Sequence, residues 1–237
     1  MRRILPCIIL LLVCALSTSA QDDPEYKLEV GAGVGMVNYL GDFNASLTGE
    51  LQPSGSLIAK YRPNPRMAWA ATISYGQLKG SQAGTKTWYP SLPLTTDPEK
   101  QLVKADYSSF NNSLIDVGLR FEYNFWPYGT GKEYRGARRV APFVAIGLGA
   151  TYVNAQHKGV FTANLPLAAG VKYKMATRWN LSVEWGIHFT ASDELDGVKD
   201  PYGIASSGLF KNTDCYSNLR LAITYDLWAK CKTCNRE

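Results

Sequence analysis

Ser113-Leu114-Ile115-Asp116-Val117-Gly118-Leu119-Arg120-Phe121-Glu122-Tyr123-Asn124-Phe125 alternates residue by residue between two kinds of side chain. Ile115, Val117, Leu119, Phe121, Tyr123 and Phe125 share one parity, and Asp116, Gly118, Arg120, Glu122 and Asn124 share the other. Successive side chains of a strand point to opposite faces. One face of this strand is therefore continuously apolar and the other charged, so each must meet a different medium.

Seven further segments carry the same period. Tyr26 to Asn38 sets Tyr26, Leu28, Val30, Ala32, Val34 and Met36 against Lys27, Glu29, Gly31, Gly33 and Gly35. Around Gly55 to Arg62, Leu57, Ala59 and Tyr61 oppose Ser56, Lys60 and Arg62, with Ile58 interrupting the pattern. Met67, Trp69, Ala71, Ile73 and Tyr75 oppose Ala68, Ala70, Thr72, Ser74 and Gly76. From Val140 to Tyr152, Val144, Ile146, Leu148, Ala150 and Tyr152 oppose Ala145, Gly147, Gly149 and Thr151. Leu165, Leu167, Ala169, Val171, Tyr173 and Met175 oppose Ala168, Gly170, Lys172 and Lys174. Trp179, Leu181, Val183, Trp185, Ile187 and Phe189 oppose Asn180, Ser182, Glu184, Gly186 and His188. The last segment sets Leu219, Leu221, Ile223, Tyr225 and Leu227 against Asn218, Arg220, Thr224 and Asp226.

A soluble ligand-carrying barrel has the same alternation with its faces reversed. Three features decide against it. The polar face is rich in Gly and Ala, where a water-exposed surface would be dense in Lys and Glu. Five or six bulky residues per strand would overfill an eight-stranded barrel, whose interior is only just wide enough for side chains. The aromatics also band: Tyr61, Trp69, Phe125, Trp126, Tyr173, Trp179, Tyr225 and Trp228 at one set of strand ends, and Tyr39, Tyr75, Tyr152, Phe189 and Tyr216 at the other. Trp179 and Phe189 lie roughly 25 Å apart along the membrane normal at the usual strand rise and tilt, the height of an outer-membrane barrel's apolar band. The expected fold is all-β, an eight-stranded antiparallel transmembrane β-barrel of the outer-membrane type.

Arg2 and Arg3, the apolar run Ile4 to Leu16 and the small residues Ser17-Thr18-Ser19-Ala20 have the layout of a cleaved secretory signal. Cys14 lacks the small residue before it that lipidation wants, because Val13 stands there. The division expected is a signal peptide over 1–20, a barrel over 21–228 and a periplasmic tail over 229–237. A chain entering from the periplasm and crossing eight times has both termini periplasmic. Pro63 to Arg66, Trp126 to Arg139 and Ala176 to Arg178 are then periplasmic connections. Leu40 to Ser54, Gln77 to Asn112, Asn154 to Asn164 and Ala191 to Asp214 are external loops at the cell surface. Short turns on one side and longer loops on the other is the usual asymmetry; the long fourth-to-fifth connection departs from it.

The 25 Lys and Arg against 20 Asp and Glu give a net charge of +5, which drops to about +3 once Arg2 and Arg3 leave with the signal. That is too mild and scattered for nucleic acid. Cys215, Cys231 and Cys234 remain after the signal, an odd number without a disulfide framework. Cys231-Lys232-Thr233-Cys234 lacks the further ligands of a zinc site; an oxidised loop or an anchor point in the tail fits it better. Gly31-Ala32-Gly33-Val34-Gly35 is no nucleotide fingerprint, since Met36 takes the third glycine's place and no helix follows. Glycines there let the barrel curve and make room for opposing lumen side chains.

Asp116, Arg120, Glu122, Lys172, Glu184, His188 and Arg220 all project into the expected lumen, where unpaired charges would be costly. An ion-paired plug is therefore expected, not a diffusion pore. His188 and Glu184 share a face, but no Ser or Cys nucleophile signature accompanies them. No enzyme, cofactor or metal is expected. Lys132-Glu133-Tyr134-Arg135-Gly136-Ala137-Arg138-Arg139 makes the fourth-to-fifth connection unusually long and basic. Its Lys132, Arg135, Arg138 and Arg139 read either as a solvated turn near anionic head groups or as a docking surface for a periplasmic partner.

Several blocks resemble one family. Tyr39-Leu40-Gly41-Asp42, Glu122 to Tyr128, Leu165-Pro166-Leu167 leading to Gly170-Val171-Lys172-Tyr173-Lys174, Arg178-Trp179-Asn180-Leu181, Asp193-Glu194-Leu195-Asp196 and Lys211 to Ser217 are similar, in order and spacing, to the PorG family. Those proteins are outer-membrane barrels of the type IX (Por) secretion system of Bacteroidota. Cys215 stands where an aromatic residue is expected. The resemblance implies a component that meets a periplasmic ring built from PorK and PorN and is not itself the translocation pore. It favours docking for Lys132 to Arg139. The alternative is a small barrel like outer-membrane proteins A and X, with an adhesive or envelope-stabilising role.

Overall fold

A computed structural model describes residues 26–41, 49–81, 109–129, 137–155, 158–192, 195 and 214–229. The expected signal peptide, Lys132, Arg135, Cys231, Cys234 and most of the long connections lie outside the described residues.

Eight strands follow one another: β1 (Tyr26–Leu40), β2 (Gln52–Asn64), β3 (Met67–Ser81), β4 (Ser109–Asn124), β5 (Val140–Ala155), β6 (Lys158–Lys174), β7 (Trp179–Thr190) and β8 (Cys215–Ala229). Each pairs antiparallel with its neighbours in sequence, and β8 returns to β1 from Tyr26↔Ala229 through Leu40↔Cys215, closing the barrel. The connections β2–β3, β4–β5 and β6–β7 lie at one end, here the turn end, together with the start of β1 and the end of β8. The other connections define the loop end.

The faces separate as the parity requires. Outward-pointing Val34, Leu57, Leu148 and Phe161 are 68%, 64%, 72% and 74% exposed, while the charged Glu122 and Asp226 are fully buried inside. A ring of exposed aromatics, including Tyr61, Trp69, Phe125, Trp126, Tyr173, Trp179 and Trp228, circles the turn end. Edge-to-face contacts tie Trp69 to Phe121 and Trp179 to Tyr225 within it. Inside, glycine makes room for its neighbour on the next strand: a Cβ on Gly31 would stand 2.2 Å from the Ile223 carbonyl oxygen and 2.7 Å from the methyl group of its ladder partner Thr224.

The structure corrects several boundaries and orientations. Ile58 does not interrupt β2: it points inward, is buried, and keeps the alternation running from Gln52. No long loop spans Asn154 to Asn164. β5 runs to Ala155 and β6 starts at Lys158, with Tyr152↔Phe161 and Ala155↔Lys158 paired, because Phe161 and Ala163 face out while Val160, Thr162 and Asn164 face in. The third connection also shortens, since Gly80 and Ser81 pair with Phe110 and Ser109. Tyr39 and Tyr216 are not girdle residues; both are buried inside the loop end, on the parity of Val37 and Asn218 respectively. Tyr26 is likewise buried instead of outward-facing, its ring beneath the Lys174 ammonium at 5.4 Å. Strands of 12 to 17 residues exceed the roughly 9–11 that cross a bilayer's hydrocarbon, so the wall extends past the apolar band.

Leu148 lies in the middle of that band, opposite Leu119. Leu148→Arg is expected to cost about 2–4 kcal/mol in urea unfolding of the barrel from phospholipid vesicles, with Leu148→Phe near neutral. On a water-facing surface the Arg variant would be harmless instead.

Candidate functional site

Four layers of side chains fill the lumen. At the loop end the layer is mainly apolar: Val37, Tyr39, Leu78, Phe110, Leu114, Val153 and Tyr216 pack around Leu195, which descends from the β7–β8 connection. Asp214 secures this cap, accepting hydrogen bonds from the Tyr39 hydroxyl and, at 2.9 Å, from the Leu195 amide. Asn112 donates to the Leu195 carbonyl at 2.9 Å.

Beneath the cap sits Asp116. It takes a hydrogen bond from Tyr216 Oη at 2.8 Å and from Thr151 Oγ1 at 3.1 Å, with Asn164 Nδ2 as a third donor. His188 stacks on Tyr216 with ring centroids 4.4 Å apart, and its Nδ1 is 2.9 Å from the Tyr216 hydroxyl. His188 thus partners Tyr216, while Glu184 is taken by arginines, so the two do not form an acid–base pair.

The third layer holds two ion clusters. Glu184 lies between Arg120, through both terminal guanidinium nitrogens, and Arg220, at 2.6 Å. Glu122 lies between Lys60, 3.1 Å away, and Lys172, 2.6 Å away. The Phe143 ring underlies both ammonium groups, at 5.7 Å and 4.5 Å. The fourth layer, at the turn end, centres on Asp226, which binds Arg62 and Lys174 and accepts from Asn180 Nδ2 at 3.0 Å. Glu29 completes it, 3.7 Å from Arg62 Nε and bonded to the Thr224 hydroxyl.

The turn-end mouth is closed by the β4–β5 connection. Tyr128 folds back into it, buried, with its hydroxyl donating to Asn180 Oδ1 at 2.9 Å and its ring 5.9 Å from the Arg62 guanidinium. Burial pushes this phenol well above its ordinary pKa, so it stays a neutral donor. The two arms of the connection are zipped: the Arg138 amide donates to the Pro127 carbonyl at 2.8 Å, and the Gly129 amide to the Arg138 carbonyl at 3.2 Å. The exposed Arg138 guanidinium stacks over Trp126 at 4.7 Å. The Arg139 carbonyl accepts from the Lys174 amide, and the Arg139 side chain is exposed.

Asp116, Arg120, Glu122, Lys172, Glu184, His188 and Arg220 therefore do share one lumen, in two adjacent layers. Asp116 meets two hydroxyls and an amide there, with His188 Nδ1 at 3.9 Å. Sequence reasoning left out Glu29, Lys60, Arg62, Lys174 and Asp226 from the network, although the same inward parity marks them. Tyr128 belongs to no strand, so no periodicity could have found it. Cys215, half-buried, opens β8 at the loop end opposite Leu40 and Phe189. Among the described residues no group of three His, Cys, Asp or Glu could hold a metal ion.

A closed antiparallel barrel with an apolar exterior and an ionic interior defines a class, the small eight-stranded barrels of outer membranes. Within it, the chain belongs to the DUF6089 family, described as a domain of unknown function, which matches residues 2–236. No curated protein matches it in sequence. Among solved structures it is similar to Neisserial surface protein A, at 14% identity and a TM-score of 0.49, covering 84% of this chain and 97% of that one. The outer membrane protein OprG from Pseudomonas aeruginosa follows at 9% identity and 0.45, covering 88% and 99%. Ail, the attachment invasion locus protein of Yersinia pestis, solved with the heparin analogue sucrose octasulfate, stands at 8% and 0.44, covering 85% and 99%.

Removing one partner from a buried ionic cluster strands the others. Glu122→Ala is expected to lose about 3–5 kcal/mol in chemical denaturation, while the triple change Lys60→Met, Glu122→Leu, Lys172→Met recovers most of it. Persistent instability of the triple variant would show that these groups do more than neutralise one another.

Proposed function

We propose that the protein is a non-conducting outer-membrane barrel that works through its ends, as an anchoring or docking component of a type IX secretion apparatus. The first half is supported by the filling of the lumen among the described residues: an apolar cap, three polar layers and Tyr128 occupy the barrel's interior. Ion pairing across β2, β4, β6, β7 and β8 makes that filling rigid, because opening a channel would strand several buried charges at once. Membrane placement is supported by the band of exposed Val, Leu, Ile and aromatic side chains around the outside.

The secretion role rests on the ordered blocks of resemblance to the PorG family. On this reading the turn end faces the periplasm, and the β4–β5 connection presents Arg138 and Arg139, with Lys132 and Arg135, to a ring of PorK and PorN. The zipped arms and the buried Tyr128 support it, since they give the connection a fixed base. Docking surfaces gain from such preorganisation, because less ordering is lost on binding. A second reading, an adhesive or envelope-stabilising barrel like outer-membrane proteins A and X, is supported by the long β3–β4 and β7–β8 connections at the loop end. No catalytic role is proposed, since the buried carboxylates and His188 are engaged with structural partners.

Replacing Arg135, Arg138 and Arg139 by Ser should abolish co-purification with periplasmic ring proteins and block secretion while the barrel still inserts. Unchanged secretion would rule out docking through this connection. Deleting the tip of the β3–β4 connection should leave secretion intact; lost adhesion with normal secretion would favour the second reading.

A further inference from the structure

Among the described residues, the exposed charges of the turn end are all arginines: Arg66 in the β2–β3 turn, Arg138 and Arg139 in the β4–β5 connection and Arg178 in the β6–β7 turn. Lys27 adds a half-exposed fifth cation at the start of β1. The carboxylates described there, Glu29 and Asp226, are buried and committed to interior partners. The loop end differs, since its Lys79 and Glu50 answer each other at 3.2 Å. The described surface of the turn end is therefore of one sign.

These arginines are held in place. The carbonyl oxygen of each accepts a backbone amide from another segment: Arg66 from Asn124 at 2.7 Å, Arg138 from Gly129 at 3.2 Å, Arg139 from Lys174 at 2.8 Å and Arg178 from Asp226 at 2.8 Å. The Tyr128 amide and Asn124 Nδ2 both donate to the Pro65 carbonyl, at 3.0 Å and 3.1 Å, which fastens the β2–β3 turn to the base of the β4–β5 connection. Three of the guanidinium groups are steadied as well. Arg66 Nη1 donates to the Phe125 carbonyl at 3.4 Å, and Arg138 stacks on Trp126. Arg178 Nη1 donates to the Tyr225 hydroxyl at 3.1 Å, with its guanidinium 5.7 Å from the Tyr26 ring. Three connections thus form one braced platform, and each exposed guanidinium keeps further N–H donors for a partner.

We propose that the docking surface is this whole arginine rim, Arg66 and Arg178 included, and that its partner is a protein face bearing carboxylates. The inference deepens the docking reading above and rests on it. Arginine presents a rigid planar fork that meets a carboxylate through two bonds, where lysine offers a point charge. The bracing separates a protein partner from lipid head groups. A fluid leaflet accommodates basic side chains at any spacing, whereas a folded surface matches only a fixed array and gains from its preorganisation. A rim of one sign also steers an oppositely charged partner and repels wrong ones.

The test uses the full-length mature barrel in zwitterionic detergent micelles, with purified PorK and PorN as the probe and surface plasmon resonance as the readout. Wild type should bind them, decaglutamate should compete, and the Kd should rise steeply with salt. Arg66→Gln combined with Arg178→Gln, which leaves the β4–β5 connection intact, should weaken binding about tenfold and flatten the salt dependence. The heat-sensitive gel mobility of a closed barrel checks folding; if the double variant does not fold, Arg66→Gln decides alone, with a loss of about threefold. Unchanged affinity in the folded variant would confine docking to the β4–β5 connection, which overturns the wider rim and leaves the docking reading standing. Unchanged affinity together with lost selectivity for spin-labelled phosphatidylglycerol would give the rim to lipid head groups instead. Failure of decaglutamate to compete at low salt overturns the acidic partner. If decaglutamate binds only a chain shortened by residues 21–25, the rim belongs to the chain's own Asp22, Asp23 and Glu25, and the proposal falls. Ring proteins that ignore the wild type would overturn both this inference and the docking reading.

Discussion

Closure of β8 onto β1 is the constraint on which the rest depends. A sheet with an apolar outer face and free edges would leave backbone N–H and C=O groups open to hydrocarbon, where nothing can satisfy them. The β1·β8 seam removes both edges along fourteen residue pairs, the register running from Tyr26↔Ala229 to Leu40↔Cys215. With the backbone satisfied, the outer surface is free to be apolar. The inner surface must then dispose of everything else within a cylinder barely wider than its side chains.

That confinement explains the lumen. Small residues and long charged ones alternate across it, so that Gly31 and Gly33 make room beside Thr224 and Arg220. Three buried carboxylates of the two ion-paired layers each bridge two basic side chains from different strands: Glu184 those of β4 and β8, Glu122 those of β2 and β6, Asp226 those of β2 and β6. Such clusters add little net stability over apolar packing, but they oppose alternative registers, because a one-residue slip turns every charge outward. The interior therefore specifies the barrel and blocks it in the same stroke.

The ends are built differently. The loop end is stoppered by Leu195 and Asp214 against a mainly apolar cluster, whereas the turn end is closed by a tyrosine held among Arg62, Lys174 and Asn180. A connection whose base is anchored inside the barrel can present its outer residues in a fixed direction. The outer wall has its own irregularity at Pro166, where the β5·β6 pairing lapses.

Strand number, the two faces and the sign of each interior residue were legible from the sequence, because a period of two leaves only one way to place thirteen alternating residues such as Ser113 to Phe125. Glu122, Lys172, Glu184 and Arg220 could be assigned to the lumen for that reason alone. Which carboxylate meets which cation was not legible, since partners such as Lys60 and Glu122 are sixty-two residues apart and meet only through the accumulated register of a closed sheet. The burial of Tyr26 against its parity, the tight β5–β6 connection and the entry of Tyr128 also waited on the tertiary structure. Parity states which side of the wall a residue takes; only closure fixes its height and its neighbours across the lumen.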